Sequence, residues 1–257
     1  MKPHRLPIFP TLVAVYRDWG RTLKTMRAIH LSAILIITAI SVGADFVPQR
    51  LWQQELYGLV LGTIQAAIWA LLLAPFIIAL HRFVILGEIT PIYTLPIFEP
   101  SFLSFFGWLF TLKILLGLPF DVLGATQALN WSVRASALVF AVALVAVAFL
   151  SLRLSILLPA RAVEAPGATP SRALADTNGE ALRILALFLL AMLPWLAAIF
   201  GGVVLLGPGA GVIGTPRAMI SLVFGGIMQT ITLGIATVMA SYIFMALAAQ
   251  VKRTAKL

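Results

Sequence analysis

Arg153, Glu88, His81 and Arg82 are the residues whose types could combine into a working site. Guanidinium, carboxylate and imidazole groups held in otherwise apolar sequence imply a buried, mutually paired cluster, because unpaired charge is costly in hydrocarbon. The plainer alternative is a set of separate interfacial charges, with Arg153 snorkelling on its long stem to a membrane surface. Lys113 is the second candidate, near the middle of an apolar run. Its ammonium either faces a bundle interior or a wet cavity, or snorkels outward with Asp121, eight positions on, drawing it. Gln229, Thr230 and Thr232 set polar groups in the middle of the last apolar run. Interhelical hydrogen bonding is the ordinary use of such groups. Gln229 could also join Lys113 and Arg153 along a polar path.

Other chemistries find little support. His4, His30 and His81 are far apart in sequence and none belongs to an H-E-x-x-H pattern. The chain has no cysteine, which excludes disulfides, iron–sulfur clusters and thiolate zinc sites. Gly209-Ala-Gly211-Val-Ile-Gly214 matches G-x-G-x-x-G, but that fingerprint needs a preceding strand and an acidic residue about 20 positions on. No acidic residue follows it, so it is read as a glycine turn. No metal, cofactor or enzymatic activity is expected. The net charge of +9 does not point to nucleic acid, because the cations sit between apolar runs rather than on one face among stacking aromatics.

Those apolar runs must position everything else. Hydrophobic residues make up 61% of the chain and charged residues 11%, against about 25% charged in soluble domains. Six runs, near 28–47, 57–80, 101–119, 133–158, 182–206 and 218–248, are long enough to cross a hydrocarbon core about 30 Å thick. Backbone groups in lipid must be satisfied within the chain, so the fold class is all-α, a polytopic membrane helix bundle. One membrane domain over 1–257 is expected, with an arm at 1–27, a tail at 249–257 and an uncleaved first span. Placing both termini in the cytosol puts thirteen Lys and Arg on that side: Lys2, Arg5, Arg17, Arg21, Lys24, Arg27, Arg82, Arg161, Arg172, Arg183, Lys252, Arg253 and Lys256. Only Arg50, Arg134 and Arg217 fall opposite, and the bias predicts that orientation. Trp52, Tyr57 and Trp131 would form an aromatic belt at the outer boundary.

The remaining patterns concern packing and partners. Leu12, Tyr16, Trp19, Leu23 and Met26 recur at helical spacing, with Arg17, Arg21 and Lys24 on the other face. This predicts an amphipathic helix lying among anionic headgroups, so membrane lipids are the expected partners, with a docking site for a protein partner as the alternative. Gly58, Gly62, Ala66 and Ala70 form one small-residue stripe, and Gly226, Thr230 and Gly234 another. Both predict close helix packing, within the chain or through a homo-oligomer. Residues 88–100 hold three prolines and predict an extended interfacial connector. A short helix is expected from Pro170, capped by Thr169 and ended by Asn178-Gly179. Pro75 and Pro194 predict kinks.

His81-Arg-Phe-Val-Ile-Leu-Gly-Glu88 and Arg153-Leu-Ser-Ile-Leu-Leu-Pro-Ala-Arg161-Ala-Val163, following a basic arm, resemble segments of six-span inner-membrane proteins of Gram-negative bacteria. Those proteins are similar to the membrane region fused to some glycerophosphodiester phosphodiesterases. The resemblance implies a six-helix bundle with a role in envelope or lipid homeostasis, as an accessory or scaffold. It does not imply phosphodiesterase activity, because the catalytic barrel has no counterpart in this sequence. A small permease or transporter subunit is the alternative, and an intramembrane lipid enzyme ranks below both.

Overall fold

The structure is a computed structural model and describes residues 6–48, 55–206, 215–249 and 251. The glycine turn at 209–214 and the residues His4, Lys2, Arg5, Arg50, Trp52, Lys252, Arg253 and Lys256 lie outside the described residues. The described residues form helices and irregular connections, with no strand among them. In chain order the helices are α1 Ile8–Thr25, α2 Arg27–Asp45, α3 Glu55–Leu86, α4 Pro100–Ala128, α5 Val133–Leu154, α6 Leu157–Ala162, α7 Pro170–Asp176, α8 Ala181–Leu206 and α9 Pro216–Leu247. Among the described residues, α2, α3, α4, α8 and α9, with the α5–α6 stretch, supply six segments long and apolar enough to cross a membrane. This is a multi-pass membrane architecture.

Local signals explain most helix ends. Ser132 and Thr215 sit extended at N-caps and accept from the amides of Ala135 and Ala218, each at 3.3 Å. Thr169 also occupies an N-cap before Pro170, but its hydroxyl meets Ser171 instead of a backbone amide. The expected cap bond there is absent. Gly87, at φ +73, ends α3 in a left-handed turn, with its amide donating to Phe83 O at 3.0 Å. Three boundaries differ from the sequence expectation. Helix α3 runs six residues beyond position 80, α4 continues through Pro119 to Ala128, and the fourth run breaks at Ser155 before the short α6. Hydropathy marks where a helix leaves lipid, and helix continues past that point wherever caps and packing support it.

Helix α9 is the axis of the bundle. Its hydrophobicity is spread around the whole circumference and more of it is buried than of any other long helix described. It packs against α2, α3, α8 and α1. Gly226 faces α2 so closely that a Cβ there would lie 2.2 Å from Thr38 Oγ1 and 3.3 Å from Ile34 O. At Gly234 a Cβ would lie 2.9 Å from Trp19 Nε1. The α9 stripe is therefore occupied within the chain. In the α3 stripe Ala66 and Ala70 are buried, Gly58 and Gly62 are half-buried, and no atom approaches the position of a Cβ at Gly62.

The amphipathic arm docks on the bundle rather than only resting among headgroups. Thr11, Val15, Asp18 and Thr22 form its buried line, while Leu12, Tyr16, Trp19 and Leu23 flank it half-buried. Tyr16 Oη donates to Ala191 O at 2.6 Å, and the Trp19 ring meets Trp195 edge-on at 5.6 Å. Arg17, Arg21 and Lys24 stay exposed. We call the end of the bundle holding α1, α6 and α7 the basal end. Tyr57 and Trp131 are exposed towards the other end. The proline-rich connector does not lie flat at the basal surface: Tyr93 Oη donates to Leu72 O at 2.7 Å, about 21 Å back along α3 from Leu86.

Close approach at Gly226 makes a definite prediction. Gly226→Ala should destabilise the protein by about 1–3 kcal/mol through overpacking against Thr38. Adding Thr38→Ala should recover most of the loss in thermal unfolding in detergent. An unchanged melting curve for the single variant would show that α2 and α9 do not meet there.

Candidate functional site

Helices α3 and α4 run antiparallel, which brings Trp69 and Lys113 to the same level. Lys113 Nζ lies 4.7 Å from the centre of the Trp69 ring, a cation–π contact. The ammonium turns into the bundle and not towards Asp121, and among the described residues no carboxylate pairs with it. Trp69 Nε1 is buried and has no hydrogen-bond partner.

Lys113 and Trp69 form a wall shared by two cavities. On the side away from the basal end is a polar one of about 150 Å³, reached by Ser41, Gln65 and Gln229. On the basal side is an apolar one of about 440 Å³, lined chiefly by side chains such as Ile77, Leu109, Leu116 and Phe188. From Trp69 to His81 the second cavity follows about 18 Å of α3. It lies between the α4–α5 hairpin on one side and α3, α8 and α9 on the other.

His81 marks the basal end of the larger cavity and is fully buried. Its Nδ1 lies 2.7 Å from Ser241 Oγ, and Ser241 Oγ donates to Thr237 O at 3.1 Å. That commitment assigns the proton of the shorter contact to His81 Nδ1. Nε2 is left as a lone pair with no partner.

The expected cluster of Arg153 with Glu88 and His81 does not form. Glu88 is held by Arg82 in a forked pair, Nε to Oε2 at 2.6 Å and Nη2 to Oε1 at 3.2 Å. The cause is local: α3 carries Arg82 within helix, and the left-handed turn at Gly87 folds Glu88 back onto it. This pairing holds the Glu88 carboxyl below its usual range. Arg153 instead donates to Leu174 O, and its own carbonyl lies 3.2 Å from Thr177 Oγ1, whose nearer acceptor is Ala173 O at 2.8 Å. Arg82 also reaches Ala162 O at 3.5 Å, and Arg161 reaches Ala168 O at 2.7 Å and Ser104 Oγ at 3.0 Å. These arginines therefore clamp main-chain carbonyls of the α6–α7 segment, which closes the basal end. Thr230 and Thr232 also depart from expectation, bonding back to Gly226 O and Met228 O on their own helix instead of across to another.

A second polar group went unnoticed in the sequence. Asp18, the only acidic residue of the arm, is 7% exposed and accepts from Tyr242 Oη, from Arg17 Nε at 3.2 Å and from Arg21 Nη1 at 3.3 Å. Burial alone would raise its pKa, but the hydrogen bonds from Tyr242, Arg17 and Arg21 outweigh burial and hold the carboxyl below its ordinary range. The 11-15-18-22 spacing was the signal for its inward position. Gln65 and Trp69, four residues apart on α3, carried a comparable signal.

No protein-family model, curated protein or solved structure matches the chain.

The Asp18 contact predicts a pH dependence. A carboxyl depressed below its unfolded pKa of about 3.9 stabilises fully above that value and loses its contribution as pH falls through the folded pKa. Asp18→Asn should thus lower stability at pH 7 by about 1.5–3 kcal/mol, the range for a hydrogen bond to a charged group. The two proteins should converge in thermal unfolding as pH falls below about 4. A gap that persisted unchanged at low pH would mean the carboxylate charge is not what holds α1.

Proposed function

We propose that this chain is a non-enzymatic accessory of lipid or envelope homeostasis in a bacterial inner membrane, and that its working part is an intramembrane site for an amphiphile. The observation that carries this reading is the Lys113–Trp69 wall. There a cation without a carboxylate partner among the described residues stands between a polar and an apolar cavity. A bundle that only held its own helices together would fill such space, because lining atoms around a void forfeit dispersion contacts. The resemblance of the 81–88 and 153–163 segments to six-span envelope proteins points the same way. The cation bias supports cytosolic termini, with the exposed Arg17, Arg21 and Lys24 of α1 against anionic headgroups.

One observation favours a second reading, a small permease. Lys113 lines both cavities, so together they form a path that a solute could follow. In that case Lys113 should react with a small, membrane-impermeant amine reagent in intact cells. Under the amphiphile reading it should be protected.

Purification in mild detergent followed by native mass spectrometry tests the main reading. A lipid-sized adduct on each protomer is expected. A bare protomer under the gentlest conditions, with lipid restored to the buffer, overturns it. Terminal tags should be labelled only after cells are permeabilised; labelling in intact cells reverses the orientation.

A further inference from the structure

We propose that the occupant of the intramembrane site is a single-chain amphiphile with an anionic head, a carboxylate or a phosphate monoester, held at Lys113 with its tail running towards His81. The inference rests on the amphiphile reading above and specifies the ligand's charge, chain number and direction.

Charge comes first. The junction is lined by the Lys113 ammonium and by the side chains of Gln65, Gln229 and Ser41, which can donate as well as accept, with the buried, unpartnered Trp69 indole N–H beside it. Both glutamine side chains line the cavity, and neither makes a side-chain hydrogen bond among the described residues. An anion satisfies an ammonium and amide donors together, whereas a cation would face Lys113 at close range without a counter-charge. A neutral head can accept from the ammonium through its oxygens but brings no counter-charge, so it forms the weaker contact.

Size comes next. The polar cavity, about 150 Å³, suits a compact head and not a sugar or a glycerol-linked one. The apolar cavity, about 440 Å³, falls in the lower part of the range of about 300–1,000 Å³ for small-molecule sites. Stretched along about 18 Å of α3, that volume is a narrow channel for one extended chain and not a chamber for two.

Direction follows from which cavity is which. The donors lie away from the basal end and the apolar channel extends towards it. A ligand seated this way has its head pointing away from the basal surface. That is the orientation of a lipid in the opposite leaflet, so the site is matched to molecules arriving from that side.

The test uses the full chain, stripped of lipid in a neutral detergent. Palmitate, hexadecyl phosphate, hexadecanol and hexadecyltrimethylammonium are compared by native mass spectrometry and thermal shift. Both anions should bind one per protomer, and the alcohol and the cation should bind about tenfold or more weakly, the scale of one charge-assisted contact. The stronger of the two anions identifies the head as carboxylate or phosphate. Lys113→Met should lose that preference while its thermal unfolding shows an intact fold. Lys113→Arg should keep it. Leu116→Trp, which fills the channel, should exclude both anions. Equal binding of hexadecanol and palmitate, or unchanged anion binding by Lys113→Met, overturns the inference and leaves amphiphile binding standing. Absence of binding by all four overturns both.

Discussion

Lipid supplies no hydrophobic drive to bring one helix to another, so the bundle depends on how closely other elements can approach α9. Two glycines decide that. Gly226 admits the α2 backbone at Ile34 and the side chain of Thr38, and Gly234 admits the edge of Trp19 from α1. Between them, Thr230 keeps its hydroxyl on its own helix, so no polar group stands in the way. Each contact is a dispersion contact that a single Cβ would close off. Around this axis Met26 breaks the helix between α1 and α2, which lets α1 cross the basal side while α2 descends beside α9.

The same constraint accounts for the cavity. Helix α9 offers small residues to α1 and α2, but where its wall meets the α4–α5 hairpin the side chains are those of Leu233, Ala236 and Ala240, facing Leu109, Leu112 and Leu152. Helices α4 and α5 pair closely with one another, and α4 pairs with α3. Bulky side chains hold this second group of helices off the axis. Lys113 and Trp69 stand on that wall. A charge with a long stem and an indole cannot interdigitate as leucines do, so packing is incomplete where chemistry is most concentrated.

Much of this was legible in the sequence because hydropathy and helix punctuation are local. The six apolar runs, the helix starting at Pro170, the amphipathic arm and the close packing of Gly226 and Gly234 all follow from spacing and residue type. The misplaced elements share one cause, dependence on where a helix stops. Taking α3 to end at 80 placed His81, Arg82 and Glu88 in a loop, where Arg153 seemed the natural partner for Glu88. With α3 continuing to Leu86, Arg82 and Glu88 meet across one tight turn, and Arg153 is left to the carbonyl of Leu174. Asp18 was overlooked because a basic arm suggests a surface helix, and the carboxylate's inward direction depends on Tyr242, over two hundred residues away. Whether Lys113 turned in or out could not be read from its own span, because Trp69 on another helix decides it.

The basal arginines and Lys113 show how the same kind of charge is used in two ways. Arg82, Arg153 and Arg161 end on carbonyl oxygens or a carboxylate, and each closes a turn of the α6–α7 segment. A guanidinium satisfied by fixed backbone acceptors is committed to structure, and little of its charge is left for anything mobile. Lys113 has no such acceptor among the described residues; its nearest support is a ring face, which attracts a cation without taking up its protons. An ammonium has three donors, and a ring face satisfies none of them as an oxygen would. Ser41, Gln65 and Gln229 line the same cavity, but none of them brings the negative charge that a carboxylate would. The arginines anchored to carbonyls at the basal end hold the fold together, whereas Lys113 within the bundle makes only a ring contact among the described residues, which is why the proposed ligand is placed there.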